Sequence, residues 1–188
     1  MSSLPMPRHG AKRRAVVVGL VSASLWATGN IRSVEAPDAH DAVRANALLD
    51  GLQGHWNMEG TVMGEPVRYR AEGARVLQGG FLRLHMIDAN SPPQYEAAVY
   101  IGYDVKAKEY IAHWLDGFGA AGARVVGSGS RAGDRIAIHY PYSSGTFRNM
   151  FTWRPVRRDW TLLIESQQRD GTWSTFASYT LRREDQAR

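Results

Sequence analysis

Between residues 54 and 183 the chain alternates apolar and polar residues in short runs, and turn residues such as glycine separate the runs. Alternation of period two predicts half-buried β-strands, and many short strands in succession indicate an antiparallel barrel or sandwich. No helix-period segment lies between the runs, so a parallel α/β fold is excluded. Successive hairpins with short loops favour an all-β up-and-down barrel of 8–10 strands. The predicted strands are His55–Val62, Val67–Leu77, Phe81–Ile87, Tyr95–Tyr103, Glu109–Leu115, Arg124–Ser128, Asp134–Tyr140, Thr146–Trp153, Trp160–Ser166 and Thr172–Arg182.

A short helix is predicted before the first strand. It begins near Pro37 and Asp38, where aspartate is a favoured cap, and it ends at Gly51 and Gly54. We expect this helix to close one end of the barrel with a single apolar face. The residues expected on that face are Ala39, Val43, Ala47, Leu48 and Leu52.

The alternation also selects the residues that are expected to face the barrel interior. They are Trp56, Met58, Tyr69, Leu84, Met86, Val99, Ile101, Ile138, Tyr140, Phe147, Asn149, Phe151, Leu162, Ile164 and Tyr179. This set suits either a filled core or a cavity for a flat, apolar ligand. Asn149 lies between two aromatic residues, and a buried amide needs a hydrogen-bond partner. We therefore predict that Tyr140, Asn149 and Phe151 contact a small hydrophobic or amphipathic ligand in the lumen.

His113 is the fourth candidate ligand contact, because apolar residues occupy both faces of its predicted strand. A histidine in the lumen can ligate haem iron or act as a base. This gives two alternatives to simple binding, a haem-binding barrel that uses His113 and an acid–base enzyme that uses His113, Asp116 or Tyr140. A sealed barrel that serves as a scaffold is a third. The histidines lack metal-ligand spacing, so we assign no metal ligand, and we assign no catalytic residue.

The glycine- and serine-rich stretch Gly127-Ser128-Gly129-Ser130-Arg131 has a nucleophile-like serine pattern. It lacks the strand-to-helix context of a nucleophile elbow, so we interpret it as a turn.

Composition narrows the function classes. The 188 residues include no cysteine, which excludes disulfides, thiolate nucleophiles and iron–sulfur clusters. The formal net charge is +5, but residues 37–188 alone carry only +1. A segment so nearly neutral lacks the basic surface of a nucleic-acid-binding protein. We therefore expect a small-molecule partner, no nucleic acid and no cofactor.

A basic stretch, Arg8-His9-Gly10-Ala11-Lys12-Arg13-Arg14, precedes thirteen mostly apolar residues, 15–27. This order is typical of a secretory signal, and the apolar run is shorter than the ~20 residues that span a bilayer. Cleavage near Ala27 or after residues 34–36 fits equally, and the paired arginines also permit a twin-arginine route beside general secretion.

We therefore expect residues 1–36 to be a signal peptide and linker, and residues 37–186 to form the barrel domain. The mature protein is expected to be periplasmic or secreted and to keep no stable membrane anchor. An uncleaved anchor or a disordered tail is the alternative interpretation of the leader.

Two sets of motifs resemble known families. A Gly-x-Trp on the first strand, ending at Trp56, and an arginine on the last strand, Arg182 or Arg183, resemble the calycin pattern. In calycins the arginine lies over the indole and closes one barrel end by a cation–π contact. An ordered set of further motifs is similar to the family named domain of unknown function 1579: Leu49-Asp50-Gly51-Leu52-Gln53-Gly54-His55-Trp56, Gly79-Gly80-Phe81-Leu82, Ile101-Gly102-Tyr103-Asp104, Lys108-Glu109-Tyr110, Trp114-Leu115-Asp116 and Tyr179-Thr180-Leu181-Arg182. That resemblance implies a calycin-like barrel and carries no reaction or ligand.

Overall fold

The structure is a computed structural model that describes residues 37–184. Its elements are a helix, α1 (Pro37–Asp50), ten β-strands and a short 3₁₀ helix (Gly122–Arg124). The strands are β1 (Gly54–Val62), β2 (Glu65–Val76), β3 (Phe81–Asp88), β4 (Glu96–Asp104), β5 (Glu109–Asp116), β6 (Val126–Ala132), β7 (Arg135–Tyr142), β8 (Gly145–Arg154), β9 (Asp159–Gln167) and β10 (Trp173–Arg183). The predicted leader lies outside the described residues, as do the side chains of Asp38 and Ala39.

Each strand pairs antiparallel with its neighbours along the chain, and β1 pairs with β10 to close the sheet into a barrel. The prediction of an all-β up-and-down barrel preceded by a short helix is therefore confirmed, with ten strands. Closure satisfies the main-chain groups that an open sheet leaves at its edges.

Helix α1 covers the end of the barrel where β1 begins, which we call the helix end; the opposite end is the far end. The Tyr110 hydroxyl on β5 donates to the Ala45 carbonyl at 3.2 Å. The Trp160 indole N–H on β9 donates to the Gly51 carbonyl at 3.1 Å. These bonds link the helix and its C-terminal turn to strands on different sides of the barrel.

The apolar face of α1 differs from the predicted one. Val43 is 67% exposed and Ala47 is also exposed, so the expectation that they pack on the barrel is wrong. The buried positions of the helix and its following turn are spaced i, i+3, i+4 and i+7, which is the usual spacing of one helical face. They are Ala45, Leu48, Leu49 and Leu52.

Trp56 closes the helix end together with Arg183. The indole is 1% exposed, and its N–H donates to the Leu52 carbonyl at 2.8 Å. The Arg183 guanidinium carbon lies 4.4 Å from the ring centroid. Arg182 belongs to the outer wall, where its side chain is 57% exposed and lies 3.7 Å from the Glu59 carboxylate. Only one of the two candidate arginines therefore contacts the indole.

The glycine- and serine-rich stretch is part of β6, so its interpretation as a turn is wrong. A Cβ at Gly127 would lie 2.8 Å from ring carbons of Tyr140, and a Cβ at Gly129 would collide with the Ala137 carbonyl. Glycine within a strand commonly marks such a close approach. The glycines of β6 allow β7 and its tyrosine to pack against the strand.

Candidate functional site

Tyr140 brings a hydroxyl group into the barrel interior near the far end. The residue is on β7 at a buried position, two places after Ile138, and it is 1% exposed. Among the described residues its hydroxyl has no hydrogen-bond partner. Leaving a buried hydroxyl unpaired costs about 1–3 kcal/mol, so such a group is a natural contact point for a polar atom of a ligand.

Asn149 faces the same space from the neighbouring strand. It is 4% exposed, and it is paired with Ile138 on β7 and Ile164 on β9. Because Tyr140 pairs with Phe147, Asn149 and Tyr140 are diagonal neighbours on the inner face of the sheet. The carboxamide adds two donor hydrogens and an acceptor beside the phenol.

Phe151 follows Asn149 on the inner face of β8, towards the helix end. It is completely buried and pairs with Ile136 and Leu162. The structure thus brings three of the four predicted contacts onto one pair of strands, with Phe151 below the two polar groups.

His113 does not face the interior. Tyr110 and Ala112, which have the opposite orientation along β5, are 1% and 0% exposed, so His113 projects from the outer wall. Its Nε2 lies 2.6 Å from the Ala123 carbonyl oxygen in the loop after β5. The prediction that His113 contacts a lumen ligand is therefore wrong, and the residue does not fit a haem ligand or a base inside this barrel.

Above Tyr140, four tyrosines lie at the far end, three of them on strands and one directly before β4. We call Tyr69, Tyr95, Tyr142 and Tyr179 the tyrosine cluster. The ring centroid of Tyr69 lies 5.6 Å from that of Tyr95 and 5.9 Å from that of Tyr179. Tyr142 stacks on the deeper Tyr140, with centroids 6.1 Å apart and ring planes at 14°. Tyr69 thus contacts both Tyr95 and Tyr179, and Tyr142 extends the aromatic surface from Tyr140 towards the rim.

Further side chains complete this lining. Trp114 on β5 donates its indole N–H to the Tyr95 hydroxyl at 3.4 Å. Phe147 lies edge-on to Tyr142, with centroids 5.8 Å apart, and the exposed Phe118 lies 5.7 Å from Tyr95. Because Tyr95, Tyr142 and Trp114 are only partly buried, the lining is reachable from solvent.

The phenols of this site stay protonated at ordinary pH. Burial is the main cause that raises the pKa of Tyr140 and of Tyr179 above the usual value of 10.0. Burial also raises the pKa of Tyr95, and the negative charge of Asp116 raises it further. For Tyr142 the same two causes raise the pKa. The site therefore offers neutral phenols that donate hydrogen bonds, with one carboxylate beside them.

Asp116 ends β5 at an inner-face position, two residues after Trp114. One of its carboxylate oxygens accepts a hydrogen bond from the Phe118 backbone N–H at 3.1 Å, which fixes the side chain at the start of the loop. Asp116 was a candidate for acid–base chemistry from the sequence, and the structure places it beside Tyr95 and Tyr142 at the far end.

Two depressions lie on the outer wall of the barrel. One, of about 130 Å³, includes His55, Glu72 and His85 in its lining, and the other, of about 380 Å³, is lined by outward residues of β7, β8 and β9. Charged groups on this wall form ion pairs: Arg83 with Glu72 at 3.3 Å, and Arg148 with Glu165 at 2.6 Å.

Within residues 37–184, no group of three or more acidic, histidine or cysteine side chains has the arrangement of a metal site. In the same part of the chain, no helix has the length and apolar character needed to cross a membrane.

Sequence reasoning identified Tyr69, Tyr140 and Tyr179 as inward positions, and it missed the roles of Tyr95, Tyr142 and Trp114. Tyr95 lies at the edge of a predicted strand, and Tyr142 follows a proline just beyond another. The alternation extended back from Val99 reaches Tyr95, and extended beyond Tyr140 it reaches Tyr142. Trp114 lies inside its predicted strand, on the same face as Tyr110 and Ala112.

Comparison with known proteins identifies the family of the chain. A search of curated proteins finds no match to the chain. A family model described as a protein of unknown function, DUF1579, matches residues 42–183, which include every strand and the buried part of α1. The resemblance to the DUF1579 family that the ordered set of motifs carries is therefore confirmed, and the chain belongs to that family.

Proposed function

We propose that this barrel binds a small hydrophobic or amphipathic molecule in its interior, and that the molecule enters at the far end. The observation that carries the proposal is the Tyr140 hydroxyl, which is buried at an inner-face position without a partner among the described residues. A ligand acceptor atom would restore the hydrogen bond that this group loses on folding. Asn149 supplies a second polar contact on the next strand.

The far end supports access, since its lining is aromatic and partly exposed, whereas α1 covers the helix end with hydrogen bonds from Tyr110 and Trp160. Ligand sites commonly combine mostly apolar walls with a few well-placed polar groups. The site described above has that composition, with phenols and one carboxamide set among aromatic and aliphatic side chains.

We also propose that the protein acts outside the cytoplasm, as a periplasmic or secreted binding protein. The support is the basic stretch and short apolar run in residues 8–27, which follow the order of a secretory signal.

The binding proposal is tested with Nile red, a neutral dye that brightens in apolar surroundings. The wild-type protein should bind the dye, and Tyr140→Phe should weaken binding about 2- to 10-fold, the effect of one hydrogen bond worth ~0.5–1.5 kcal/mol. Tyr100→Phe is the matched control, because Tyr100 occupies an outward position on β4 and should leave binding unchanged. If the wild-type protein does not bind the dye, or if Tyr140→Phe binds it as tightly as wild type, the proposal fails.

A further inference from the structure

The charged side chains on the inner face of the barrel are separated by sign. At the helix end, Arg75 forms an ion pair with Asp50 of α1 at 2.8 Å, and Arg183 lies over Trp56. At the far end the inner-face positions carry Asp88 and Asp116. Within the described strands, no basic residue occupies an inner-face position at the far end. The charged inner-face positions that a ligand passes at the far end are therefore carboxylates.

The two far-end carboxylates are not neutralised by ion pairs in the described part of the chain. Asp88 accepts hydrogen bonds from the backbone N–H groups of Asn90 and Gln94, at 3.1 and 3.0 Å. Asp116 accepts one from the backbone N–H of Phe118. Backbone donors hold both side chains in position and leave their formal negative charges in place.

The tyrosine cluster lies between these carboxylates. The negative charge of Asp88 contributes to the raised pKa of Tyr69, and that of Asp116 contributes to the raised pKa values of Tyr95 and Tyr142. The negative face of an aromatic ring attracts a cation, and sets of aromatic rings around a quaternary ammonium group are a known means of recognition. The aromatic rings and the carboxylates therefore both favour binding of a positively charged ligand over a negatively charged one.

We propose that the far-end site selects organic cations, so that the bound molecule carries an ammonium group near Tyr95, Tyr142 and Asp116 and a mostly apolar body that extends inwards and offers a hydrogen-bond acceptor to Tyr140. This rests on the proposed function and adds the chemical class of its ligand. The Tyr140 hydroxyl, which is buried beneath Tyr142 in the stack and has no partner among the described residues, is an observation separate from the carboxylates, and it indicates that a polar atom of the ligand reaches this depth.

Three probes of nearly equal shape test the proposal: phenyltrimethylammonium, its neutral carbon isostere tert-butylbenzene, and the anion benzenesulfonate. Each competes with Nile red for the full-length protein, and the midpoint of displacement is measured at low salt. We expect phenyltrimethylammonium to displace the dye at a concentration at least tenfold lower than tert-butylbenzene, and benzenesulfonate to be the weakest. If tert-butylbenzene is equal to or better than the cation, the selectivity is refuted while interior binding stands. If the protein does not bind Nile red at all, both proposals fall.

Asp116→Asn tests the carboxylate directly. An asparagine side-chain oxygen can still accept the Phe118 N–H, so the loop is retained while the charge is lost. We expect a loss of at least fivefold in phenyltrimethylammonium affinity and an unchanged midpoint for tert-butylbenzene. Asp104→Asn is the control, because Asp104 accepts the same kind of backbone bond, from Lys106 N–H at 2.8 Å, in a turn at the helix end. Equal losses in both variants, or none in Asp116→Asn, would overturn the assignment. The wild-type comparison of the probes decides the question even if a variant does not fold.

Discussion

Deleting a single hydroxyl from Tyr140 should stabilise the ligand-free protein, although most changes at buried positions destabilise. In the unfolded chain this hydroxyl bonds to water; in the barrel it is buried at 1% exposure without a partner among the described residues. The unpaired group costs about 1–3 kcal/mol, and Tyr140→Phe removes that cost while keeping the stack on Tyr142. The melting temperature should rise by about 2–4 °C per kcal/mol for a chain of this size.

Tyr110→Phe removes the same atom at the helix end and should have the opposite effect. The Tyr110 hydroxyl donates to the Ala45 carbonyl, so the deletion loses a buried hydrogen bond and should cost ~0.5–1.5 kcal/mol. Both variants are compared with wild type by thermal unfolding, on protein refolded from denaturant so that no co-purified molecule remains. If Tyr140→Phe destabilises as much as Tyr110→Phe, the Tyr140 hydroxyl already has a partner in the free protein, and the argument for a ligand contact is refuted.

Three further predictions concern closure, alkaline stability and export. Trp56→Ala should lower the free energy of unfolding by about 3–5 kcal/mol, since it removes a buried indole that bonds to Leu52 and packs under Arg183, whereas Trp173→Ala on the outer wall should have a much smaller effect in denaturant titrations. Burial raises the pKa of Tyr110 to about 12, so above pH 10 the unfolded chain loses protons that the native state retains; stability should fall as the pH rises from 10 towards 12, and tyrosinate absorbance should appear together with loss of circular dichroism rather than before it. When the full gene is expressed in a Gram-negative host, the periplasmic fraction should contain protein that lacks the first 27 to 36 residues, and intact mass with Met1 retained in cytoplasmic protein would contradict export.

Period-two alternation predicted most of the strands correctly, because a barrel with a solvated outer wall and an apolar interior imposes that period on every strand. The predicted strand Arg124–Ser128 overlaps β6, but the interpretation of the following glycine- and serine-rich residues as a turn is wrong; the inner positions of β6 are Gly127 and Gly129. Their small size is required by the ring of Tyr140 and by the backbone of β7, and that requirement arises from a neighbour that sequence spacing does not reveal. In α1 the predicted and the observed buried faces share Leu48 and Leu52, and they differ in that Ala45 and Leu49 are buried whereas Val43 and Ala47 are exposed.

The candidate site was harder to predict, because its members come from separate strands. That Tyr140 and Asn149 lie close together could be predicted from one hairpin, β7–β8. To predict the tyrosine cluster, the positions of β2, β4, β7 and β10 around the closed barrel must all be known. His113 shows the opposite error. Its apolar neighbours suggested burial on both faces, yet strict alternation from Tyr110 already assigns it to the outside.

The pairing of β1 with β10 also has a practical consequence for the geometry of attachment. Because β1 begins and β10 ends beside Trp56, both boundaries of the barrel lie at the helix end. A linker, affinity tag or surface coupling joined after Arg183 therefore leaves the tyrosine-lined end pointing away from the support.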